Sequence, residues 1–357
     1  MIKKIKDIDS AVLTKFRKGT VIPAMPLALT EKREFDRKAQ EVLTRYYMDA
    51  GAGGIAVGVH STQFAIREHG LFETVLSCVS ETADKWTQKT GNAIFKISGA
   101  CGKTPQAVAE AEFARKIGYN AAMLSLAAMK DATIPEMLVH CAKVAEVMPL
   151  VGFYLQSAVG GPVLPYEFWK EFMKIPNVIG IKMAPFNRYK TFDVVRALCE
   201  AGKEDEITLY TGNDDNIVLD LLTEYKIEVN GNYKKAYIKG GLLGHWCVWT
   251  QKAVTLLDEI HALIESGKDI PTELLTRSIE ITDCNAAFFD TPHNFAGCIP
   301  GIHEVLHRQG LLKGIWCLDP NEVLSPGQGD EITRIYKAYP HLNDDDFVKE
   351  RINIWKQ

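Results

Sequence analysis

Eight short apolar runs rich in β-branched and aromatic residues, each followed by a longer stretch of helical period, organise the first 250 residues. They are TVIPAMPLAL (20–29), GIAVGV (54–59), AIFKIS (93–98), AAMLSL (121–126), LVGFYL (150–155), VIGIKM (178–183), ITLYTG (207–212) and GLLGHWCVW (241–249). Strands that alternate with helices run parallel, because each crossover brings the chain back to the same end of the sheet. Eight such units in about 240 residues fit a (β/α)8 TIM barrel, and fit an open doubly wound sheet less well.

The segments between the runs carry helix signals. Phe35, Ala39, Val42, Tyr46 and Tyr47 make one apolar face ahead of Gly51. Thr104-Pro105 reads as an N-cap followed by proline at the first helical position, with Gly118 as the stop. Pro165 opens another helix, with Phe168, Phe172 and Ile175 on one face. After residue 250 the pattern turns mostly helical, through QKAVTLLDEIHALIESG, ELLTRSIEITDCNAAFFD and PHNFAGCIPGIHEVLHRQGLL. The expected organisation is a barrel with an N-terminal lead-in over residues 1–255. A helical extension over 256–357 would pack on the barrel or on a neighbouring subunit.

Forty-one basic against 45 acidic residues give a net charge of −4. Such a chain offers no field to nucleic acid or anionic membrane. No apolar stretch approaches the ~20 residues that span a bilayer, and MIKKIKDIDSAVLTKF lacks the apolar core of a signal peptide. Eight dispersed cysteines without a C-x-x-C read as reduced, buried thiols, so a cytoplasmic location is expected.

One residue breaks the apolar pattern. Lys182 lies inside NVIGIKMAPF, where an ammonium loses its hydration unless it is paired or neutral. A solvent-facing register, a structural ion pair and a reactive amine are the three readings. Tyr154 ends the preceding strand run, and parallel barrel strands deliver their C-terminal ends to one face. A desolvated lysine attacks carbonyl carbon to form an imine, and a nearby phenol can move the protons. In the bland reading Tyr154 is a core aromatic and Lys182 a rim charge.

Other candidates sit at the same predicted end. His60 and Ser61, in GVHSTQF, belong to a turn whose backbone amides could hold a carboxylate. TGNDDN (211–216) places Asp214 beside Asp215, as an N-cap for the next helix or as acceptors for a polar substrate. His245, in the eighth run, could reach the mouth or be satisfied within the core. GAGGIA (51–56) matches a dinucleotide fingerprint, but a helix precedes it and a strand follows, the reverse of what that site needs. A metal-dependent barrel using Asp214, Asp215 and His245 is the remaining alternative chemistry.

VGFYLQS followed by PNVIGIKMA, with 28 residues from Tyr154 to Lys182, is similar to a tyrosine strand and a G-I-K lysine strand found together in one group of enzymes. KISGACGKTPQAVAEAEFARKIGYNAAML and YTGNDD add to the likeness, which runs from about residue 20 to about residue 320. The chain thus resembles a divergent member of the dihydrodipicolinate synthase and N-acetylneuraminate lyase superfamily, Schiff-base (β/α)8 enzymes acting on pyruvate and related 2-oxo acids. The resemblance implies Lys182 as the imine-forming amine and Tyr154 as the proton-transfer phenol. It implies His60 and Ser61 as the carboxylate turn, Gly212 and Leu243 as pocket wall, no cofactor or metal, and a homodimer or homotetramer.

The chain also departs from that pattern. Gly58-Val59-His60-Ser61-Thr62 stands where G-T-T-G-E or G-S-T-G-E is usual, so Val59 supplies no relay hydroxyl. SLAAMKDA replaces a tyrosine pair, Val159 replaces an arginine, and EYKIEVNGNYKKAYIK is inserted. These departures argue against dihydrodipicolinate synthase activity itself, while imine chemistry needs none of the missing groups. The expectation is a lyase or aldolase joining a 2-oxo acid to an aldehyde, or cleaving the product. A dehydratase using the same imine, or a 2-oxo acid-binding protein without turnover, are the alternatives.

Overall fold

The computed structural model describes residues 3–357. Each of the first seven apolar runs overlaps a strand: β1 (Val21–Pro23), β2 (Gly54–Val57), β3 (Phe95–Ala100), β4 (Ala121–Leu124), β5 (Leu150–Leu155), β6 (Val178–Ala184) and β7 (Thr208–Thr211). The inserted segment forms a hairpin, β8 (Tyr225–Val229) and β9 (Asn232–Ala236), and the last barrel strand is β10 (Ile238–Leu243). The barrel sheet has the order β1-β10-β7-β6-β5-β4-β3-β2, and a parallel bridge between Ala24 and Ala56 joins β1 to β2. The fold is a (β/α)8 TIM barrel with C-terminal helices.

Helix α1 (Ser10–Lys18) precedes β1, and the helices between strands are α2 (Arg37–Asp49), α3 (Phe72–Thr90), α4 (Thr104–Lys116), α5 (Ile134–Ala145), α6 (Tyr166–Phe172), α7 (Arg188–Ala201) and α8 (Ile217–Leu222). The extension supplies α9 (Thr250–Ser266), α10 (Thr272–Phe289), α11 (Cys298–Arg308), α12 (Gln328–Ala338) and α13 (Asp345–Trp355). Thr104 begins α4 rather than capping it, since Lys103 takes the cap position. Gly51 (φ +93°) and Gly53 of GAGGIA lie between α2 and β2 and Gly54 begins β2, so a helix, not a strand, feeds the motif.

Packing groups the chain into two compact units: Phe95–Leu242 with the N-terminal segment through Thr20, and Val21–Ile94 with Leu243–Gln357. The helices beyond residue 255 thus group with the first βα units.

In the first unit, α1 is capped by Asp9, which accepts from the Ala11 and Val12 amides, and it carries Phe16 into the sheet. Phe16 stacks on Phe95 at 4.3 Å and meets Tyr210 at 4.9 Å, and the Tyr210 hydroxyl donates to the Phe16 carbonyl at 2.7 Å. Burying that ring contributes about 2–3 kcal/mol. Gly180 leaves room for it, since a Cβ there would lie 3.0 Å from Phe16 Cζ. The hairpin turns at Asn230 (φ +52°) and Gly231 (φ +81°), the two positive-φ positions of a type I′ turn. It packs on α7 through Lys234, whose Nζ donates to the Cys199 carbonyl at 2.9 Å, and supplements a six-residue α8.

In the second unit, Tyr46 and Trp355 pack edge to face at 5.5 Å. The Tyr46 hydroxyl donates to buried Asp344 at 2.8 Å, tying α2 to the start of α13. All eight cysteines are free thiols. Among the described residues no helix is long and apolar enough to cross a membrane.

Candidate functional site

Strand alternation decides which side chains of the lysine strand face inward. Gly180 abuts Phe16 inside the sheet, so Lys182 and Ala184 share that inward face. Cross-strand register places Phe153 and Tyr210 opposite Lys182. Lys182 is 8 % exposed, and its Nζ lies 4.7 Å from the centre of the Phe153 ring, a contact that favours the cation while burial favours the neutral amine. Gly212 makes room for the lysine stem: a Cβ there would fall 2.6 Å from Lys182 Cε and 2.9 Å from Ala184 Cβ. The structure therefore brings Lys182 and Gly212 together, at the C-terminal ends of β6 and β7.

Tyr154 is not on that face. It pairs with Met183, and its neighbour two residues back, Gly152, points at Phe172 of α6, where a Cβ would lie 2.8 Å from the ring. The Tyr154 ring accordingly packs at 5.3 Å on Trp169 of α6, and its hydroxyl accepts from the Leu164 amide at 3.3 Å. Burial pushes the phenol up to about 12; the Leu164 amide opposes this and the Asp193 charge adds to it. The expected pairing of phenol and amine is corrected to Phe153 and amine. Spacing along the chain gives no cross-strand register, and one residue of slip exchanges the two faces.

Asp214 and Asp215 do not cap α8, because Asn216 occupies the cap position. The turn is organised by Asp220, fully buried, which accepts from Thr211 Oγ1 (2.6 Å), Asn213 Nδ2 (2.9 Å), Asn216 Nδ2 (3.1 Å) and Arg188. Asn213 Oδ1 accepts from the Phe186 amide at 3.0 Å, fixing the turn that follows the lysine strand. Asp214 is buried. Burial raises Asp215, and the Arg188 charge pulls the other way. Asp220 was missed because its role depends on donors from three elements.

In the second unit, the β2 strand ends in a 3-10 turn over His60–Thr62. Ser61 Oγ donates to the Ala24 carbonyl, and Thr62 Oγ1 donates to the Met25 carbonyl at 2.6 Å. Thr62 Oγ1 also accepts from the Gly58 amide at 3.0 Å. His60 is half-buried, its ring 6.0 Å from Phe64.

The eighth strand starts at Ile238 and stops at Leu243, which corrects two expectations. Gly240 faces inward, close to Tyr210 Cε1, so Leu242 follows on that face and Leu243 takes the other. His245 lies beyond the strand in a 3-10 turn, because the chain bends at Gly244 against Phe289. Its Nδ1 meets Asn285 Nδ2 at 3.4 Å and its ring packs on Phe288. It lines a cavity of about 350 Å³ among α9 and α10 with Trp249, Lys252, Arg277 and Ile281. Burial lowers His245 to about 4, so it is neutral at physiological pH. Among the described residues no group of three or more His, Cys, Asp or Glu side chains is placed to share a metal ion.

Comparison with known proteins adds to this geometry. A family model described as the dihydrodipicolinate synthetase family matches residues 17–224, more than half of the chain. A 4-hydroxy-tetrahydrodipicolinate synthase of Persephonella marina is 25% identical over 187 residues, 52% of this chain and 57% of that protein. One from a Sulfurihydrogenibium species is 25% identical over 217 residues, 59% and 64% of the two chains. The matched region thus spans about 60% of the length of these relatives. Dihydrodipicolinate synthase from Oceanobacillus iheyensis superposes with a TM-score of 0.72 at 17% identity, covering 92% of this chain and 99% of that one. N-acetylneuraminate lyase from Fusobacterium nucleatum gives 0.69 at 14% identity, covering 90% and 99%. A dihydrodipicolinic acid synthase family protein from E. coli K12, solved with pyruvate, gives 0.70 at 15%, covering 91% and 98%. At such identities the solved structures speak to the fold alone.

Proposed function

Because the chain belongs to the dihydrodipicolinate synthetase family, we propose that it is a Schiff-base-forming lyase or aldolase acting on pyruvate or a related 2-oxo acid. The observation that carries this reading is a lysine amine buried on the inward face of a barrel strand, near its C-terminal end, with a glycine opposite its stem. Lys182 Nζ attacks the keto carbon, water leaves, and the protonated imine serves as the electron sink for making or breaking a carbon–carbon bond. The His60–Ser61 turn is assigned to the substrate carboxylate on the family resemblance. Tyr154 has a packing role in this reading, since its hydroxyl faces Leu164.

Borohydride added with pyruvate should fix the mass of the reduced adduct on Lys182, as read by peptide mass spectrometry. Lys182→Ala should abolish it. No adduct with any of a panel of 2-oxo acids would end the proposal.

A second reading, a 2-oxo acid-binding protein on the same barrel, is favoured by Phe153. An apolar ring faces the amine where a proton-transfer group was expected. Adduct formation with no product across a broad aldehyde panel would select it, and one turned-over substrate would exclude it. A dehydratase using the same imine would be recognised by water loss from a hydroxylated 2-oxo acid.

A further inference from the structure

Lys182 and Phe153 belong to the same compact unit, and the parallel register of β5 and β6 makes them cross-strand partners. On the other flank of β6, Gly212 confines the lysine stem: a Cβ there would lie 2.6 Å from Lys182 Cε and 3.1 Å from its Cγ. Held in this way, Nζ lies over the Phe153 ring, 4.7 Å from its centre. Both side chains are buried, at 8 % and 5 % exposure.

The face of an aromatic ring is its electron-rich side, and it attracts a cation within about 6 Å. The attraction is greatest where water is kept away. Imine chemistry puts a positive charge on this nitrogen twice. The ammonium first releases a proton to water, and the neutral amine attacks the keto carbon. The carbinolamine then takes a proton back and loses its hydroxyl as water. The nitrogen lone pair closes the C=N bond, which leaves the charge on nitrogen. A phenylalanine ring moves none of these protons, but it favours the charged nitrogen over the neutral one.

We propose that Phe153 is the residue that holds the positive charge of the Lys182 nitrogen, in the ammonium and again in the protonated imine of a 2-oxo acid. This rests on the imine reading above and adds a residue to it. Keeping the imine protonated preserves its power to draw electrons from the bond being made or broken. The titratable side chains on the two strands beside β6 are Tyr154, turned to Leu164 and α6, and Tyr210, which donates to the Phe16 carbonyl. Asp214 and Asp215 follow in the turn after β7.

The test replaces Phe153 in the full chain by monofluoro-, trifluoro- and pentafluorophenylalanine and leaves those other groups in place. Fluorine draws electrons from the ring face and barely changes the shape of the ring. Pyruvate is trapped on Lys182 with cyanoborohydride, which reduces the protonated imine and spares the ketone, and the label is read against pH. The profile falls on the acid side, where the amine stays protonated, and on the alkaline side, where the imine loses its proton. Both limbs should move to lower pH along the series, by about one pH unit for the pentafluoro ring, or about tenfold in proton affinity. Phe153→Leu should displace them as far. A profile that loses height at every pH without moving, as loosened packing would produce, overturns the proposal. So does a profile that fluorination leaves unchanged. Wild-type protein that labels at no pH refutes the imine reading itself, and this proposal with it.

Discussion

The turns after β7 and β2 draw on similar small polar residues, TGNDDN and GVHSTQ, and use them differently. After β7 the Asp220 carboxylate receives four donors. Both oxygens of that carboxylate are used twice, so Asp220 is the centre of a satisfied structural network. After β2 the Ser61 and Thr62 hydroxyls are used in the same way, but the Gln63 carboxamide keeps one buried end without an acceptor. A satisfied network holds a turn in place. The Gln63 end of the other turn has no acceptor among the described residues. The aspartates that attracted attention in the sequence belong to the closed turn, and the glutamine that did not belongs to the open one.

Breaking the closed turn should give the largest effect. Asp220→Ala leaves Thr211, Asn213 and Arg188 without their shared acceptor and should destabilise the protein by roughly 3 kcal/mol in urea unfolding. A loss under 1 kcal/mol would mean that the network is replaceable and the contrast between the turns weak.

The turn after β10 sharpens the comparison through pH. Burial lowers His245, and also His303, to about 4, with the Ile315 and Trp316 carbonyls opposing the shift at His303; in the unfolded chain both sit near 6.5. Between those values the unfolded chain binds more protons, so stability rises with pH across the window. The contribution is complete above about pH 6.5 and is lost as pH falls towards 4, by up to about 3 kcal/mol per histidine. Urea titrations from pH 7 to pH 4.5 should show this slope, and His245→Gln should reduce it. A slope indifferent to replacing both histidines would refute the assignment.

The smallest effect is expected at Tyr154. A phenol that transfers protons in the reaction contributes about 10²- to 10⁴-fold to rate. A phenol that only accepts from Leu164 contributes about 1 kcal/mol of stability. Tyr154→Phe should therefore leave pyruvate trapping on Lys182 within about threefold of wild type. A hundredfold loss would return Tyr154 to the reacting centre.

The barrel was legible in the sequence because its signal is local and repeated. Each βα unit states its own periodicity, and eight repetitions outweigh the misplaced ends of single elements, as at β10. Lys182 was legible for a similar reason: a charge within an apolar run is an anomaly that needs no partner to be noticed. Phe153, Asp220 and Gln63 were not legible. Phe153 takes its meaning from cross-strand register, Asp220 from donors on three elements, and Gln63 from a backbone amide 255 positions away.

The sequence by itself determined the alternation of strands and helices and the buried amine, since both follow from hydrophobic pattern along the chain. Which ring faces that amine, which carboxylate is already satisfied and which donor is left open were decided only by the tertiary structure. Hydrogen bonds and strand faces depend on distances between segments, and those exist only once the chain has folded.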